Sequence, residues 1–424
     1  MSLVQPLTIF LLFLLPFLAS SWHSARLELK YVDSTTYFSR SELIRRATHR
    51  SLRRVSNLAS LGPSNNFSAG CHASTASYVI DISIGTPPVL MSAILDTGSD
   101  LIWTQCSPCI ACFSQPNPIF TPANSTTFSK VPCSSSLCKS LPKSLCNSQC
   151  DYEYSYGDGS STKGLMGFET FSFGADNSVK IPGIGFGCGT NNVGATDNSS
   201  GIVGMGRGAL SLVSQLNITK FLYCFNSIHN KSSSILHLGS WANITSNASK
   251  STPFMPNPTG SPMSSFYYLS LQGITVGEAL LPIPPSVFQL TPDGGGGLII
   301  DSGTTVTALE ERAFIMVTRA FMSRIKLPQA SGASLGLSLC FTLPEGGIKS
   351  VNIPKMIFHF AGADMDLPLE NYMVEDTASK LLCLGMVGTR GISILGNMQQ
   401  QNMNILYDMQ EGMLSFEPAV CSKL

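Results

Sequence analysis

The chain has 424 residues, of which 43% are hydrophobic and only 12% charged, and its 26 basic and 26 acidic residues leave no net charge. That length is too great for one compact core and suits two lobes of ordinary size. The composition is that of a globular protein without a nucleic-acid partner, and its 37 glycines and 25 prolines favour short strands joined by turns.

One apolar run near the N-terminus, residues 7–19, could enter a membrane. It is interrupted by Pro16 and followed by small residues. A signal peptide ends in this way before its cleavage site. No Lys or Arg precedes the run, so an uncleaved anchor is the alternative. We predict a signal peptide over residues 1–21 and, because no later stretch could span a bilayer, no membrane contact after its removal. The protein should enter the secretory pathway and reach the extracellular space (apoplast) or the vacuole.

The next segment is basic. Residues 22–70 carry eight basic and three acidic side chains, a net charge of +5, whereas residues 71–424 carry 18 basic and 23 acidic ones, a net charge of −5. Residues 41–58 have a helical apolar pattern among arginines. Such a helix could bind nucleic acid or a membrane surface. Its place between a signal peptide and an acidic body favours a removable prosegment, residues 22–72.

From Tyr78 onward the pattern is that of strands. Residues 78–85 alternate and then stop at a Thr-Pro-Pro turn. Tyr152, Tyr154 and Tyr156 share one face of a strand, and the Gly-Asp-Gly that follows is a hairpin signal. A Pro-, Asn- and Ser-rich stretch, residues 243–265, then separates two halves.

The two halves repeat one pattern. Residues 94–99 contain Asp-Thr-Gly-Ser and residues 299–304 contain Asp-Ser-Gly-Thr; each aspartate follows an apolar strand. Each motif is followed later by an apolar-apolar-Gly echo, at residues 202–204 and 394–396. Duplication is the simplest explanation. We expect two pseudo-twofold-related β lobes with a cleft between them, an N-terminal lobe over residues 73–250 and a C-terminal lobe over residues 251–424.

The repeated motif suits a pair of positioned carboxylates. Gly98 and Gly303 let the backbone approach closely at each turn. Ser99 and Thr304 are placed to hydrogen-bond the outer carboxylate oxygens and to hold them in orientation. A single Asp-Thr-Gly is more simply a turn, but two copies with matching echoes favour a catalytic pair.

These motifs resemble those of pepsin-like aspartic proteases (peptidase A1), and the plant nepenthesin-type branch is the closer match. Its marks are the Cys-rich insert within residues 103–150 and the segments 186–189, 204–208 and 396–402. The resemblance covers residues 78–421. It implies a bilobal, mainly β pepsin-like fold in which Asp96 and Asp301 face each other across a long cleft.

The resemblance also implies a mechanism. Two aspartates about 3 Å apart cannot both be ionised, so they share one proton, as is known for aspartic proteases. The pair titrates as a unit, which implies activity at acidic pH. We therefore expect an aspartic endopeptidase, made as a secreted zymogen, that acts as a monomer on polypeptide substrates without a metal or other cofactor.

Further roles are carried over from the family. Tyr156 matches the tyrosine of the flap hairpin that closes over substrate, and Trp103 matches the tryptophan whose indole N–H can bond it. Packed core aromatics are the alternatives. Thr97 and Ser302 match the pair whose hydroxyls cross-brace the catalytic loops. A closed flap excludes water and strengthens the electrostatics of the site.

Two motifs have competing explanations. Cys106, Cys109 and Cys112 are spaced as zinc ligands can be, but no histidine cluster accompanies them and disulfides explain them better. The Gly-x-Gly-x-Gly of residues 204–208 resembles a phosphate-binding loop, but it lacks the Lys-Ser/Thr ending and the strand–helix context. We predict a turn beside the active-site loop.

The 13 cysteines fit an oxidising compartment. With Cys71 set aside, nine lie before the connector and three after it, so complete pairing requires an odd number of bridges between the lobes. We predict a Cys340–Cys383 disulfide and a bridge from Cys421 to the first lobe. Cys71 is either removed with the prosegment or left as an odd thiol.

Asn-x-Ser/Thr sequons agree with the secretory route, and we expect several of them to carry glycans. They lie at Asn66, Asn124, Asn198, Asn217, Asn230, Asn243 and Asn247.

An alternative function also exists within the branch. It resembles plant xylanase inhibitors, which use this fold to bind glycosidases, so a catalytically inactive binding protein is the second hypothesis.

Overall fold

The structure is a computed structural model that describes residues 24–31, 39–59, 78–146, 148–174, 177–194, 199–228, 233–258, 263–292 and 294–423. The predicted signal peptide, Cys71 and the sequons at Asn66, Asn198 and Asn230 lie outside the described residues. In the part of the chain that is described, no helix has both the length and the apolarity needed to cross a bilayer.

Strands dominate the described residues, so the predicted mainly β fold is confirmed. The first half contains α1 (Arg40–Ala59), α2 (Ser136–Lys139), α3 (Leu212–Gln215), β1 (Ser24–Tyr31), β2 (Tyr78–Ile84), β3 (Val89–Asp96), β4 (Trp103–Gln105), β5 (Ser129–Lys130), β6 (Ser144–Cys146), β7 (Cys150–Ser155), β8 (Ser161–Phe173), β9 (Val179–Val193), β10 (Gly201–Gly204), β11 (Lys220–Cys224), β12 (Ser234–Gly239) and β13 (Lys250–Pro253).

The second half has the same mixture of many strands and few helices. It contains α4 (Glu311–Arg324), α5 (Leu369–Tyr372), β14 (Tyr267–Leu269), β15 (Leu271–Val276), β16 (Ala279–Leu280), β17 (Leu298–Ile300), β18 (Thr307–Glu310), β19 (Gln329–Ala330), β20 (Cys340–Thr342), β21 (Met356–Phe360), β22 (Ala363–Asp366), β23 (Met373–Asp376), β24 (Leu381–Leu384), β25 (Met386–Thr389), β26 (Ser393–Leu395), β27 (Met403–Asp408) and β28 (Met413–Pro418).

A sheet of 15 strands extends through the first lobe in the order β13-β28-β27-β11-β12-β1-β2-β3-β10-β4-β9-β8-β7-β6, with β5 beside β8. Two of its strands, β27 and β28, belong to the second half and reach the first through the β11–β27 pairing. Stacked aromatic rings fill this junction, including Tyr78 on Phe225 at 4.0 Å and Phe221 on Tyr407 at 4.3 Å. Their burial makes the base of the molecule an apolar joint between the lobes.

The internal repeat of the sequence has a structural counterpart. In the first half β3 runs parallel to β10, with Asp96 opposite Gly204. In the second half β17 runs parallel to β26, with Ile300 opposite Leu395, so that Asp301 follows at the same edge. Each motif and its later echo are therefore neighbouring strands.

Six disulfides cross-link the described residues. Cys340 pairs with Cys383, and Cys421 pairs with Cys224 of the first lobe, as the cysteine parity predicts. The candidate zinc ligands are also disulfide-bonded: Cys106 to Cys188, and Cys109 to Cys112. The remaining bridges, which the sequence left open, are Cys133–Cys146 and Cys138–Cys150.

The basic segment is an integral part of this fold. Its strand β1 lies inside the large sheet, with β12 on one side and β2 on the other. Its helix α1 covers the predicted helical stretch and starts after Ser39, whose hydroxyl accepts the Glu42 N–H at 3.2 Å. The strand was not predicted, although residues 24–31 alternate between buried apolar and exposed charged side chains.

Candidate active site

The two motif aspartates meet at the centre of the molecule. Asp96 ends β3 and Asp301 follows β17; they are 1% and 0% exposed. A Cβ on Gly98 would lie 2.7 Å from the Oδ1 of Asp301, and one on Gly303 would lie 2.1 Å from the Oδ1 of Asp96. Each glycine thus faces the carboxylate of the other loop, and any side chain there would collide with it.

Both loops hold their carboxylates in the same way. The Ser99 hydroxyl donates to the Oδ2 of Asp96 at 2.5 Å, and the backbone N–H of the turn glycine donates to its Oδ1 at 3.1 Å. The Thr304 hydroxyl donates to the Oδ2 of Asp301 at 2.5 Å, and the matching glycine N–H donates to its Oδ1 at 2.9 Å. Hydrogen bonds to a carboxylate favour its ionised form and fix its orientation.

The loops also brace each other. The Ser302 hydroxyl accepts the Thr97 N–H at 3.0 Å, and the Thr97 hydroxyl accepts the Ser302 N–H at 2.9 Å. The same Ser302 hydroxyl donates to the carbonyl of Leu95 at 2.8 Å. These buried bonds join residues 205 or 207 positions apart, so they connect the two halves at the site.

One arginine of the basic segment lies between the carboxylates. In α1 the Nη2 of Arg54 is 2.8 Å from the Oδ1 of Asp96, and its Nε is 2.9 Å from the Oδ2 of Asp301. The charge of Asp158, from the flap turn, also acts on this guanidinium. A single side chain therefore occupies the space between the two acids.

Burial and charge shift the ionisation of this cluster. Burial raises the pKa of Asp301; Arg54 opposes that rise and Asp96 adds to it, so that the pKa is about 6. Burial lowers the pKa of Arg54, but the charges of Asp301 and Asp96 outweigh it and the pKa lies above its ordinary value. The guanidinium remains charged while Asp301, with a pKa of about 6, can retain a proton in mildly acidic solution.

Helix α1 lies along the cleft beside β18 and β25 of the second lobe. The hydroxyl of Ser51 accepts the Val306 N–H at 2.8 Å, and the hydroxyl of Ser41 donates to the Oδ2 of Asp376 at 2.8 Å. A groove of about 730 Å³ remains between the helix and the second lobe, with Phe314 among its lining residues. Substrate could not reach the acids without displacing this helix.

Arg54 contributes to the predicted basic charge of the segment, but no role at the site was predicted for it. A signal was available, because Arg46, Arg50 and Arg54 recur every four residues and so share one face of a helix. That pattern predicts a basic face on α1. It does not predict which arginine reaches the acids, since this depends on how the helix docks.

The predicted flap is a hairpin of β7 and β8. Asp158 closes its turn by accepting from the N–H and hydroxyl of Ser160 at 2.9 and 2.6 Å, and Gly159 has a φ of +85°. The hairpin touches α1, since a Cβ on Gly157 would lie 3.2 Å from the carbonyl oxygen of Arg54. The helix therefore lies between the hairpin and the acid pair.

Tyr156 stands at the base of this turn, and its side chain lines a small cavity of about 30 Å³ beside Asp96. Burial raises the pKa of Tyr156 well above its ordinary value, and the nearby Trp103 acts in the opposite direction. The Trp103 indole N–H acts on the Tyr156 hydroxyl as a hydrogen-bond donor, although neither of these two atoms reaches full hydrogen-bond geometry with a described residue. The two side chains are neighbours in one core cluster.

The sequons at Asn124, Asn217, Asn243 and Asn247 lie on the exposed surface. All four side chains are thus accessible to a glycan. Glycosylation itself remains a prediction.

Comparisons with known proteins agree with this geometry. The family described as "Xylanase inhibitor N-terminal" matches residues 78–240, and "Xylanase inhibitor C-terminal" matches residues 266–418. Aspartic proteinase nepenthesin-1 of Nepenthes gracilis is 46% identical over 399 residues, covering 93% of this chain and 89% of that protein. Aspartyl protease family protein 2 of Arabidopsis thaliana is 35% identical over 427 residues, covering 94% and 86%.

Solved structures show the same fold. The crystal structure of edgp aligns with a TM-score of 0.65 at 20% identity, covering 83% of this chain and 94% of that one. Basic 7S globulin from soybean aligns with a TM-score of 0.63 at 19% identity, covering 82% and 94%. With two lobes, two repeated acid loops and these relatives, the chain belongs to the pepsin-like aspartic protease family, in its plant nepenthesin-type branch.

Proposed function

We propose that this protein is an aspartic endopeptidase made as a zymogen, and that Asp96 and Asp301 activate a water molecule to hydrolyse peptide bonds at acidic pH. The observation that carries the proposal is the meeting of two buried carboxylates, one from each half, within reach of one guanidinium. The identity to nepenthesins supports it. We further infer a monomer in the extracellular space or the vacuole, acting on polypeptides.

The chemistry follows from one proton shared by two acids. The ionised carboxyl takes a proton from water, whose oxygen attacks the peptide carbonyl carbon while the protonated carboxyl donates to the carbonyl oxygen. Proton return to the nitrogen then releases the amine and the new carboxylic acid. Ser99 and Thr304 orient the acids, and Tyr156 on the hairpin would close over the substrate and exclude water.

Arg54 explains how the same chain stays inactive before processing. Its guanidinium fills the position that the water and the peptide need. Relative to the same site without the guanidinium, Arg54 lowers the pKa of Asp301, so docking favours the ionised acid. That contribution is complete well above pH 6 and is lost as the pH falls through about 6. Acidification should therefore release α1.

A binding protein without activity is the second candidate. The observation that favours it is the name of the two matching families, which describe xylanase inhibitors. Against it stands the complete catalytic set, since both acids, both orienting hydroxyls and the flap tyrosine are present and assembled. Inhibition of a xylanase without acid proteolysis would favour this candidate.

The test is acid digestion of casein or haemoglobin after incubation at about pH 3–4, with and without pepstatin, with the products mapped by mass spectrometry. We expect pepstatin-sensitive cleavage. Asp96→Asn should lower its rate by about 100-fold or more, whereas Asp364→Asn, which alters an exposed carboxyl that pairs with His359, should leave it intact. Cleavage at near the wild-type rate in Asp96→Asn would refute the assignment.

The zymogen is tested with two arginines of one helix. Arg54→Gln removes the guanidinium from the acids, and Arg45→Gln removes a guanidinium of the same helix that is paired with Glu42, three residues away on the surface. We expect Arg54→Gln to be processed and active at a pH at which the wild type is still intact, and Arg45→Gln to behave as the wild type. Equal onset in all three proteins would count against Arg54 as the inhibitory group.

A further inference from the structure

Asp100 is a buried acid that the mechanism above does not use. It follows Ser99 in the first catalytic loop and is only 7% exposed. Burial raises its pKa, and the charge of Asp96 adds a smaller rise. A buried carboxylate costs free energy unless it is hydrogen-bonded, so its partners indicate what it is for.

Those partners belong to two other segments. Its Oδ1 accepts the backbone N–H of Gly208 at 2.9 Å, and its Oδ2 accepts the hydroxyl of Ser265. Gly208 ends the Gly-x-Gly-x-Gly turn, and Ser265 lies in the connector that leads into the second lobe. One carboxylate thus joins the first catalytic loop to both segments.

The glycines of residues 204–208 are explained by this acid. A Cβ on Gly204 would lie 2.2 Å from the backbone carbonyl carbon of Asp100, one on Gly206 would lie 2.4 Å from its Oδ1, and one on Gly208 would lie 2.1 Å from its Oδ2. The turn therefore wraps around Asp100, and each glycine leaves room for it.

The same turn holds the connector at several points. The backbone N–H of Arg207 donates to the Ser265 carbonyl at 3.0 Å, and the Tyr267 hydroxyl donates to the Met205 carbonyl at 2.9 Å. The guanidinium of Arg207 donates to the side chain of Asn257 at 2.6 Å, which itself bonds two connector carbonyls. The connector is thus fixed to the first lobe around Asp100.

The path continues to the second acid. Tyr267, two residues after Ser265, begins β14 and pairs with Ile300 of β17. Asp301 is the next residue after Ile300. Two noncovalent contacts, Asp100 with Ser265 and Tyr267 with Ile300, thus connect the loop of Asp96 to the strand that presents Asp301.

We propose that Asp100 is a positioning residue that sets the relative placement of Asp96 and Asp301 by joining the first catalytic loop to the connector and β14. This inference rests on the proposed protease function. Removing the carboxylate would let the loop and the connector shift relative to each other, and a misplacement of about 1 Å at a catalytic group costs on the order of 100-fold in rate.

The test compares four variants with the processed wild type, using a peptide substrate and pepstatin titration to count competent sites. Asp100→Ala should lower kcat per titrated site by about 100-fold with little change in KM, because Asp100 does not touch substrate. Asp100→Asn, whose amide can meet both partners, should keep kcat within a few-fold. Ser265→Ala should lose kcat by an intermediate factor. Asp408→Asn alters an equally buried acid paired with Lys220 and should change nothing.

A pH profile separates positioning from general damage. Asp96 is the acid that faces Asp100 from the same loop. The other polar groups around Asp100 are the hydroxyls of Tyr154, Ser265 and Tyr267. The Arg207 guanidinium is bound to the side chain of Asn257. Since like charges oppose ionisation, Asp100→Asn should move the profile of kcat/KM toward lower pH. An unchanged kcat in both Asp100→Ala and Ser265→Ala, with active wild type, would overturn this inference alone. Absence of pepstatin-sensitive wild-type cleavage would overturn the proposed function, and this inference with it.

Discussion

The two catalytic loops present their acids in nearly the same way but are supported from behind by different chemistry. Behind the first loop stands the ionisable carboxylate of Asp100. Thr305 occupies the matching place in the second loop, where a Cβ on Gly396 would lie 2.6 Å from its carbonyl oxygen. There the support comes from amides, as the side chain of Asn397 donates to the Ser302 carbonyl at 2.8 Å and that of Gln400 donates to the Leu395 carbonyl at 2.8 Å.

The two loops are thus more alike in how they present the acids than in the support behind them. Amide side chains do not titrate, so the second loop keeps its support at every pH. The support of the first loop includes an acid whose pKa is raised by burial. A protonated Asp100 can still accept a hydrogen bond from the Gly208 N–H and can donate one to the Ser265 hydroxyl. Asp100 can therefore gain or lose its proton while keeping both contacts.

The largest expected effect comes from the acids themselves. Asp96→Asn and Asp301→Asn should each lower kcat/KM by about 10²- to 10⁴-fold, because each removes either the base or the acid of the pair. The double variant should be no worse than either single one, since the pair acts as a unit. Steady-state kinetics on pepstatin-titrated enzyme measures this. A single variant with near wild-type rate would show that the loops are not equivalent.

The turn glycines sharpen the comparison. Gly98→Ala and Gly303→Ala each place a Cβ against the opposite carboxylate, at 2.7 Å and 2.1 Å. We expect a loss in kcat on the order of 100-fold for displacement by about 1 Å, with Gly303→Ala the worse of the two. Gly273→Ala in β15, where an added Cβ would meet the flexible end of the exposed Leu280 side chain, is a control for the effect of a glycine change on the fold. The reverse order of severity would contradict the geometry.

Removing either orienting hydroxyl should change the pH dependence of kcat/KM. Thr304 lowers the pKa of Asp301, which is about 6 with Arg54 docked, so Thr304→Val should raise the pKa of this acid in the intact chain and, through loss of the same bond, in the processed enzyme. The alkaline limb of kcat/KM then moves upward, by about one pH unit if the lost bond is worth ~1.5 kcal/mol. Ser99→Ala should move the same limb in the same direction, because the pair titrates together. Opposite shifts would mean that the acids titrate separately.

The smallest effect on rate is expected from the cross-brace. Thr97→Val and Ser302→Ala each leave a buried N–H of the other loop unpaired, which costs about 1–3 kcal/mol in the free energy of unfolding. Denaturant unfolding measures that loss. The two variants should lose similar amounts, because each hydroxyl has a second partner: that of Ser302 donates to the Leu95 carbonyl, and that of Thr97 bonds the Tyr407 hydroxyl. A much larger loss in one variant would show that the second bonds differ in strength.

Much of the site was predictable because its motif occurs in both halves of the sequence. The repeated Asp-Thr/Ser-Gly motifs indicated two matching loops, and the Gly-Asp-Gly signal after Tyr156 indicated a hairpin. Cysteine parity required an odd number of bridges between the lobes but did not by itself select the pairs. Contacts between distant segments were not predictable. Nothing in the spacing relates Asp100 to Ser265, which lies 165 residues away, and nothing before docking selects Arg54 over Arg50.

The position of β1 has a consequence for maturation. Its residues Ser24 to Leu29 pair with β12, and Leu29 to Tyr31 also pair with β2. Cutting the chain after α1 would sever a covalent link but would leave this strand held by two neighbours and by its buried apolar face. Its departure would open a slot one strand wide, bordered by two rows of unpaired backbone groups. Unless another strand fills that slot, the excised piece is expected to stay bound, as a second polypeptide in the mature molecule.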